Sequence, residues 1–184
     1  MGTNAIYSDG VVTIRRLQTS DVEADLAAKD DEQINWLWEP GDRERWFALS
    51  PQEQRDHVLA TLQSAHDSFG NGPKWTFAVD TQDISYVAYV DCDLANSHVP
   101  LGEANIAFSA HPAFRGLGYV SRAVRLVLEF LRDNTDAQEA HIIVDEENIA
   151  SLRVALAVGA TPIETYKNDQ GRMMIRHVRK LRSS

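Results

Sequence analysis

The stretch His111-Pro112-Ala113-Phe114-Arg115-Gly116-Leu117-Gly118-Tyr119 stands between an apolar run at 103–110 and an amphipathic run that opens at Tyr119. The first run reads as a strand and the second as a helix, with Val120, Ala123, Val124, Val127 and Leu131 on its buried stripe. Two glycines at such a junction let the backbone turn tightly and come close to a ligand. The first-turn amides of the helix have no intrahelical acceptor, and the helix dipole favours negative charge at that end. A strand, a glycine turn and a helix N-terminus together make a cradle for phosphate. No Gly-Lys-Ser/Thr follows, which excludes the phosphate loop of nucleotide hydrolases, and the third glycine of the dinucleotide fingerprint is missing.

Working outward, residues 11–17 open with β-branched residues and read as a strand. Ser20-Asp-Val-Glu23 matches a capping box that starts a first helix. Residues 34–47 read as irregular and aromatic, with Trp36, Trp38, Trp46 and Phe47 around Pro40-Gly41. Ser50-Pro-Gln-Glu53 is a second capping box with proline at the first helical position, followed by a stripe of Val58, Leu62, Ala65 and Phe69. Residues 75–79 and 85–94 read as a hairpin, 141–144 as a short strand and 148–158 as a helix. Residues 161–166 and 172–178 form a closing hairpin across Asn168-Asp-Gln-Gly171. The order predicts one mixed α/β (α+β) domain over 1–184, a largely antiparallel seven-stranded sheet flanked by about four helices.

Composition agrees with an ordinary globule: 184 residues, 43% hydrophobic and 24% charged. The lone cysteine, Cys92, forms no internal disulfide and builds no zinc site from cysteine pairs. A reducing, cytoplasmic location is therefore expected, with no metal. The longest apolar run, 154–160, falls far short of the roughly 18 residues that cross a bilayer, so no membrane association is expected. The start lacks a signal-peptide pattern, and Ile6 stands where a myristoylation signal wants Ser or Thr. A net charge of -9 argues against nucleic-acid binding and suits a cationic acceptor. Against that background, 112–132 carries Arg115, Arg122, Arg125 and Arg132 with one acid, Glu129. The cluster is either a solvated helix face or a docking place for a small polyanion.

The run Pro112, Arg115-Gly-x-Gly118-Tyr119, with Asn148-Ile-Ala-Ser151 thirty residues on and Gly159 eleven beyond Asn148, resembles the GNAT superfamily of N-acetyltransferases. More narrowly it resembles the branch of ribosomal-protein N-terminal acetyltransferases, whose Trp-rich substrate loop is similar to Ile34-Asn-Trp-Leu-Trp-Glu-Pro40. The likeness spans nearly the whole chain. It implies acetyl-CoA held between the strands at 103–110 and 141–144, with Arg115, Gly116, Leu117, Gly118, Tyr119 and Val120 at the pyrophosphate. It also implies the pantetheine arm along Ile106, Phe108 and Ser109 as an added strand. Arg115, Arg122 and Arg125 are its candidates for the adenosine phosphates. Asn148 bonds the pantetheine side or caps the helix from Ile149, and both can hold.

What the resemblance implies for chemistry is direct attack of a primary amine, on a peptide N-terminus or a small molecule, upon the thioester. Such an amine must first lose a proton. The branch's usual glutamate is Asn105 here, and the usual tyrosine seven residues after Asn148 is Ala155. Glu103 is the leading base, unless it is a plain edge carboxylate. Ser151 is the proton donor for the leaving thiolate, unless it is a helix-surface serine. Trp36 and Trp38 line the acceptor pocket or belong to the core. His111 reads as a turn cap and Cys92 as packing. Two other classes remain: a non-catalytic acyl-CoA-binding module, which Ala155 and Asn105 favour, and a nucleotide-binding domain built on the same glycine turn. A homodimer through the final hairpin is also open.

Overall fold

The computed structural model describes residues 7–182. The Ile6 position considered for lipidation lies outside them. Eight strands and six α-helices are present among the described residues: β1 (Tyr7–Ser8), β2 (Val12–Arg16), α1 (Val22–Ala28), α2 (Asp31–Leu37), α3 (Asp42–Ala48) and α4 (Pro51–Ser68). Then come β3 (Lys74–Thr81), β4 (Ala88–Asp93), β5 (Ala104–Ala110), α5 (Tyr119–Asn134), β6 (Glu139–Asp145), α6 (Ile149–Ala157), β7 (Thr161–Lys167) and β8 (Met173–Lys180). One sheet runs β1-β2-β3-β4-β5-β6-β8-β7, antiparallel at every junction except the parallel pair β5 and β6.

Three differences from the sequence reading have physical reasons. The eighth strand, β1, has two residues, pairing Tyr7 with Ile14 and Ser8 with Thr13, too short to show alternation. The aromatic stretch at 34–47, expected to be irregular, falls within α2 and α3, joined by a short loop. Each is seven residues long, with only Gln33 and Ile34 or Trp46 buried, so neither displays a helical period. The box expected at Ser20 forms two residues earlier, between Gln18 and Asp21, around a 3-10 turn at Thr19–Asp21. Asp21 is drawn there by the Arg15 guanidinium at 2.8 Å. The Ser50–Glu53 box stands as read.

Strand alternation divides the apolar residues between two cores. Phe77 and Val79 face α5 and join Val124, Val127, Phe130 and Leu131 in the larger one. Ala78, between them in β3, faces the other way and packs with Leu17, Val22, Trp46, Val58 and Leu62 under α1, α3 and α4. Phe77 is fully buried and meets Phe69 and Phe130 edge-on, with ring centroids 5.2 and 5.0 Å apart. Burial of such a side chain contributes about 1.5–3 kcal/mol. Cys92 lies in this core, and burial pushes its thiol up, away from nucleophilic or metal-binding chemistry.

Candidate active site

The site begins where two parallel strands stop being neighbours. β5 and β6 pair only through Ala104 with Ala140 and Asn105 with His141. Beyond Asn105, β5 continues against β4 alone, and beyond His141, β6 continues against β8 alone. The sheet opens into a V with a free β5 edge from Ile106 to Ala110. His141 marks the apex, buried, with neither ring nitrogen partnered by a described residue. Burial holds its imidazole below the ordinary histidine value.

Two cavities flank the V. The first, of about 390 Å³, is lined by Phe108, Ser109, Ala110, Arg115, Gly116, Gly118, Tyr119 and Val120 on one wall. Gln33 from α2 and Arg153 and Val154 from α6 line the facing side. The second, of about 520 Å³, is lined by Trp36, Trp38, Asn105, Ala107 and His98, and by Asp145, Tyr166 and Arg172. Trp36, Leu37, Phe108, Asn148 and Ser151 border both, so the cavities meet at these five residues. Asn148 Oδ1 accepts from the Ser151 amide at 3.0 Å, which caps α6 and leaves Ser151 at the junction.

The glycine turn supplies the polar wall of the smaller cavity. Gly116 and Gly118 have φ of +75° and +78°, where a side chain is strained, and a Cβ on either would meet no protein atom within 4 Å. The amides of Gly118, Tyr119, Val120 and Ser121 donate to no acceptor among the described residues. These four donors open on a cavity into which the helix dipole also points. A diphosphate fits this cradle, and the unpaired β5 edge fits an extended amide chain.

Several sequence-predicted residues stand elsewhere. Glu103 does not line either cavity: its Oε2 accepts from the Gln138 and Glu139 amides, clasping the turn that enters β6. A carboxylate used this way is a tie between strands rather than a base in the cleft. Leu117 is exposed and lines neither cavity, because the turn directs it outward. Ile106 lines only the larger cavity. The arginine cluster is largely neutralised by acids from distant segments. Arg115 holds Asp30 through two 2.7 Å bonds and Glu32 through a third, keeping the Asp30 carboxyl below the usual range. Arg122 pairs with Asp9, Arg132 with Asp133, and Arg125 donates to the Ala157 carbonyl. His111 Nδ1 accepts from the Ala113 amide, the turn cap expected of it.

No local pattern in the sequence shows how the larger cavity is closed. Arg172, in the turn of the β7–β8 hairpin just before β8, donates from Nε to Asp145 at 2.6 Å and from Nη1 to the Asn35 carbonyl at 3.3 Å. Its guanidinium also lies over the Trp36 ring, 4.9 Å from the centroid. Gln170 at the hairpin tip donates to Glu39 at 3.0 Å. α2 is thus held at both ends, by Arg115 on the glycine-turn side and by the hairpin on the other. Arg153, exposed beside the cradle, has no ion-pair partner among the described residues. None of these contacts has a local sequence signature, since the partners lie far apart along the chain.

A family model for the acetyltransferase (GNAT) domain matches residues 12–161. No functionally curated protein sequence matches the chain. Among solved structures, a GNAT-family acetyltransferase from Bacillus anthracis is 13% identical, with a TM-score of 0.75 over 96% of this chain and 98% of that one. The RimL ribosomal L7/L12 α-N-protein acetyltransferase, in complex with coenzyme A, is 16% identical, with a TM-score of 0.72 over 95% and 97%. The microcin C7 self-immunity acetyltransferase MccE, in complex with acetyl-CoA and AMP, is 15% identical, with a TM-score of 0.72 over 94% and 93%. No described helix is long and apolar enough to cross a membrane, and no described cluster of side chains suits a metal ion.

Proposed function

This chain belongs to the GNAT acetyltransferase family, and from that premise we propose that it moves an acetyl group from acetyl-CoA to a primary amine, either a peptide N-terminus or a small molecule. The observation that carries the reading is the meeting of the two cavities at Phe108, Asn148 and Ser151, with the open amides on one side and the Trp36 pocket on the other.

The residues present fit the carrier. The amides of Gly118 to Ser121 hold its diphosphate, the β5 edge from Ile106 to Ala110 holds its pantetheine arm, and Arg153 faces its phosphate end. When bound, acetyl-CoA supplies the acetyl group as a thioester. Trp36, Trp38, Asn105 and Tyr166 shape the space in which the amine lies beside that group. An ammonium has no lone pair, so a proton must leave before attack. Asn105 takes no proton and Glu103 is held outside the cavities, which leaves water and the His98, Glu39 and Asp169 side chains along the larger cavity for that step. The Ser151 hydroxyl, at the junction, gives a proton to the departing sulfur.

Thiol release measured with acetyl-CoA and a panel of peptides and small amines tests the proposal. Amine-dependent release is expected in the native protein. Ser151→Ala should lower kcat by about 100-fold, within the usual range for one proton-transfer group, with little change in KM for acetyl-CoA. The second reading is a non-catalytic acyl-CoA-binding module, favoured by Glu103 being occupied as a tie. It predicts tight acetyl-CoA binding with no amine-dependent thiol.

A further inference from the structure

We infer that Gln33, on α2, is a binding residue for the pantetheine arm of the carrier, its side-chain carbonyl accepting from an N–H or O–H of that arm. The inference rests on the proposed cofactor site and names a contact from the helix that covers it. Gln33 is 6% exposed and lines the smaller cavity beside Phe108 and Ser109. Its Nε2 donates to Ser109 Oγ at 3.0 Å, which fixes the amide against the free edge of β5. Its Oε1 is buried with no partner among the described residues.

A buried carbonyl without a donor loses its hydration and regains nothing, so its surroundings favour any donor that arrives. The other polar side chains at the start of α2 are already engaged: Asp30 and Glu32 hold Arg115, and Asp31 pairs with Arg43. The neighbouring cavity wall is apolar at Trp36, Leu37, Phe108 and Val154. A pantetheine arm brings two amide N–H groups and one hydroxyl into this space, each of which needs an acceptor once it leaves water. Gln33 offers one, beside the strand along which the arm is proposed to run.

Calorimetric titration of the full chain, Gln33→Met and Ser109→Ala with two probes tests this. The probes are CoA, and adenosine 3′,5′-bisphosphate, which carries phosphates without the arm. Gln33→Met should weaken CoA by about 3- to 10-fold, the value of one neutral hydrogen bond, and leave the bisphosphate within about 2-fold. Ser109→Ala frees the amide from its anchor and should weaken CoA by a smaller factor, about 2- to 4-fold, again sparing the bisphosphate. Unchanged CoA affinity in both variants overturns the inference, as does parallel weakening of both probes, the mark of a merely structural side chain. If melting shows that Gln33→Met does not fold, the Ser109→Ala titration decides alone. A native chain that binds neither probe overturns the cofactor site itself, an outcome distinct from the others.

Discussion

On the α5 side of the cleft, the polar surface at the glycine turn is main chain: four helix-turn amides left open by two glycines at positive φ, beside the free edge of β5. On the hairpin side it is side chain: Arg172 on Asp145 and Trp36, and Gln170 on Glu39. A wall of amides depends on a local turn and keeps its shape whatever the distant chain does. A wall of side chains depends on segments far apart in sequence being brought together, and it can change with any of them. The first suits a ligand with fixed parts, such as a diphosphate. The second suits a ligand whose fit is set by several segments together.

The largest effect should come from filling the amide wall. Gly116→Val with Gly118→Val places branched side chains at left-handed φ, which costs about 1–2 kcal/mol at each position and obstructs the diphosphate space. CoA binding measured by calorimetry should fall by at least 100-fold and the melting temperature by several degrees, while far-UV circular dichroism keeps its folded shape. CoA affinity within 10-fold of the native value would show that amides do not make this wall.

A middle-sized effect should appear on the other side alone. Arg172→Met removes the Asp145 ion pair and the bond to Asn35 while keeping aliphatic contact with Trp36. The apparent KM for the amine should rise by about 10-fold as α2 loses its hairpin anchor, with CoA affinity unchanged, and stability should fall by about 1–3 kcal/mol because Asp145 is left buried and unpaired. Equal shifts in both ligands would merge the two walls into one.

The smallest effect belongs to the apex. Burial depresses the folded-state pKa of His141, so above about pH 6.5 the residue is neutral in both states and contributes nothing to pH dependence. As pH falls through 6.5, the unfolded chain takes up a proton that the folded chain refuses, and stability is lost until the depressed folded pKa is reached. Glu139, Arg176 and Glu103 are the charged groups near the ring. Melting curves between pH 7.5 and 5 should fall less steeply for His141→Leu than for the native protein.

Much of the frame was legible because its causes are local. Ser50 and Glu53 start α4 by their own side chains, and the stripe from Ala123 to Leu131 needs only a helical period. The glycine turn and the Asn148 cap were readable for the same reason. Short elements were not: β1 exists because β2 offers an edge, and α2 because Asp30 caps it and contacts from both sides of the cleft hold it. Among site residues, the place of Glu103 was not legible, because a strand-end glutamate in sequence does not reveal which backbone amides will meet it. Gln33 and Arg172 carried no motif at all.

The sequence by itself determined the longer strands, the helix that opens at Tyr119 and the amides left over at its start, since these follow from periodicity and from φ at two glycines. Only the tertiary structure decided which charges stay available. Arg115 reads as a phosphate ligand until Asp30 and Glu32 arrive from α2, because a guanidinium bonds whichever carboxylate folding places beside it.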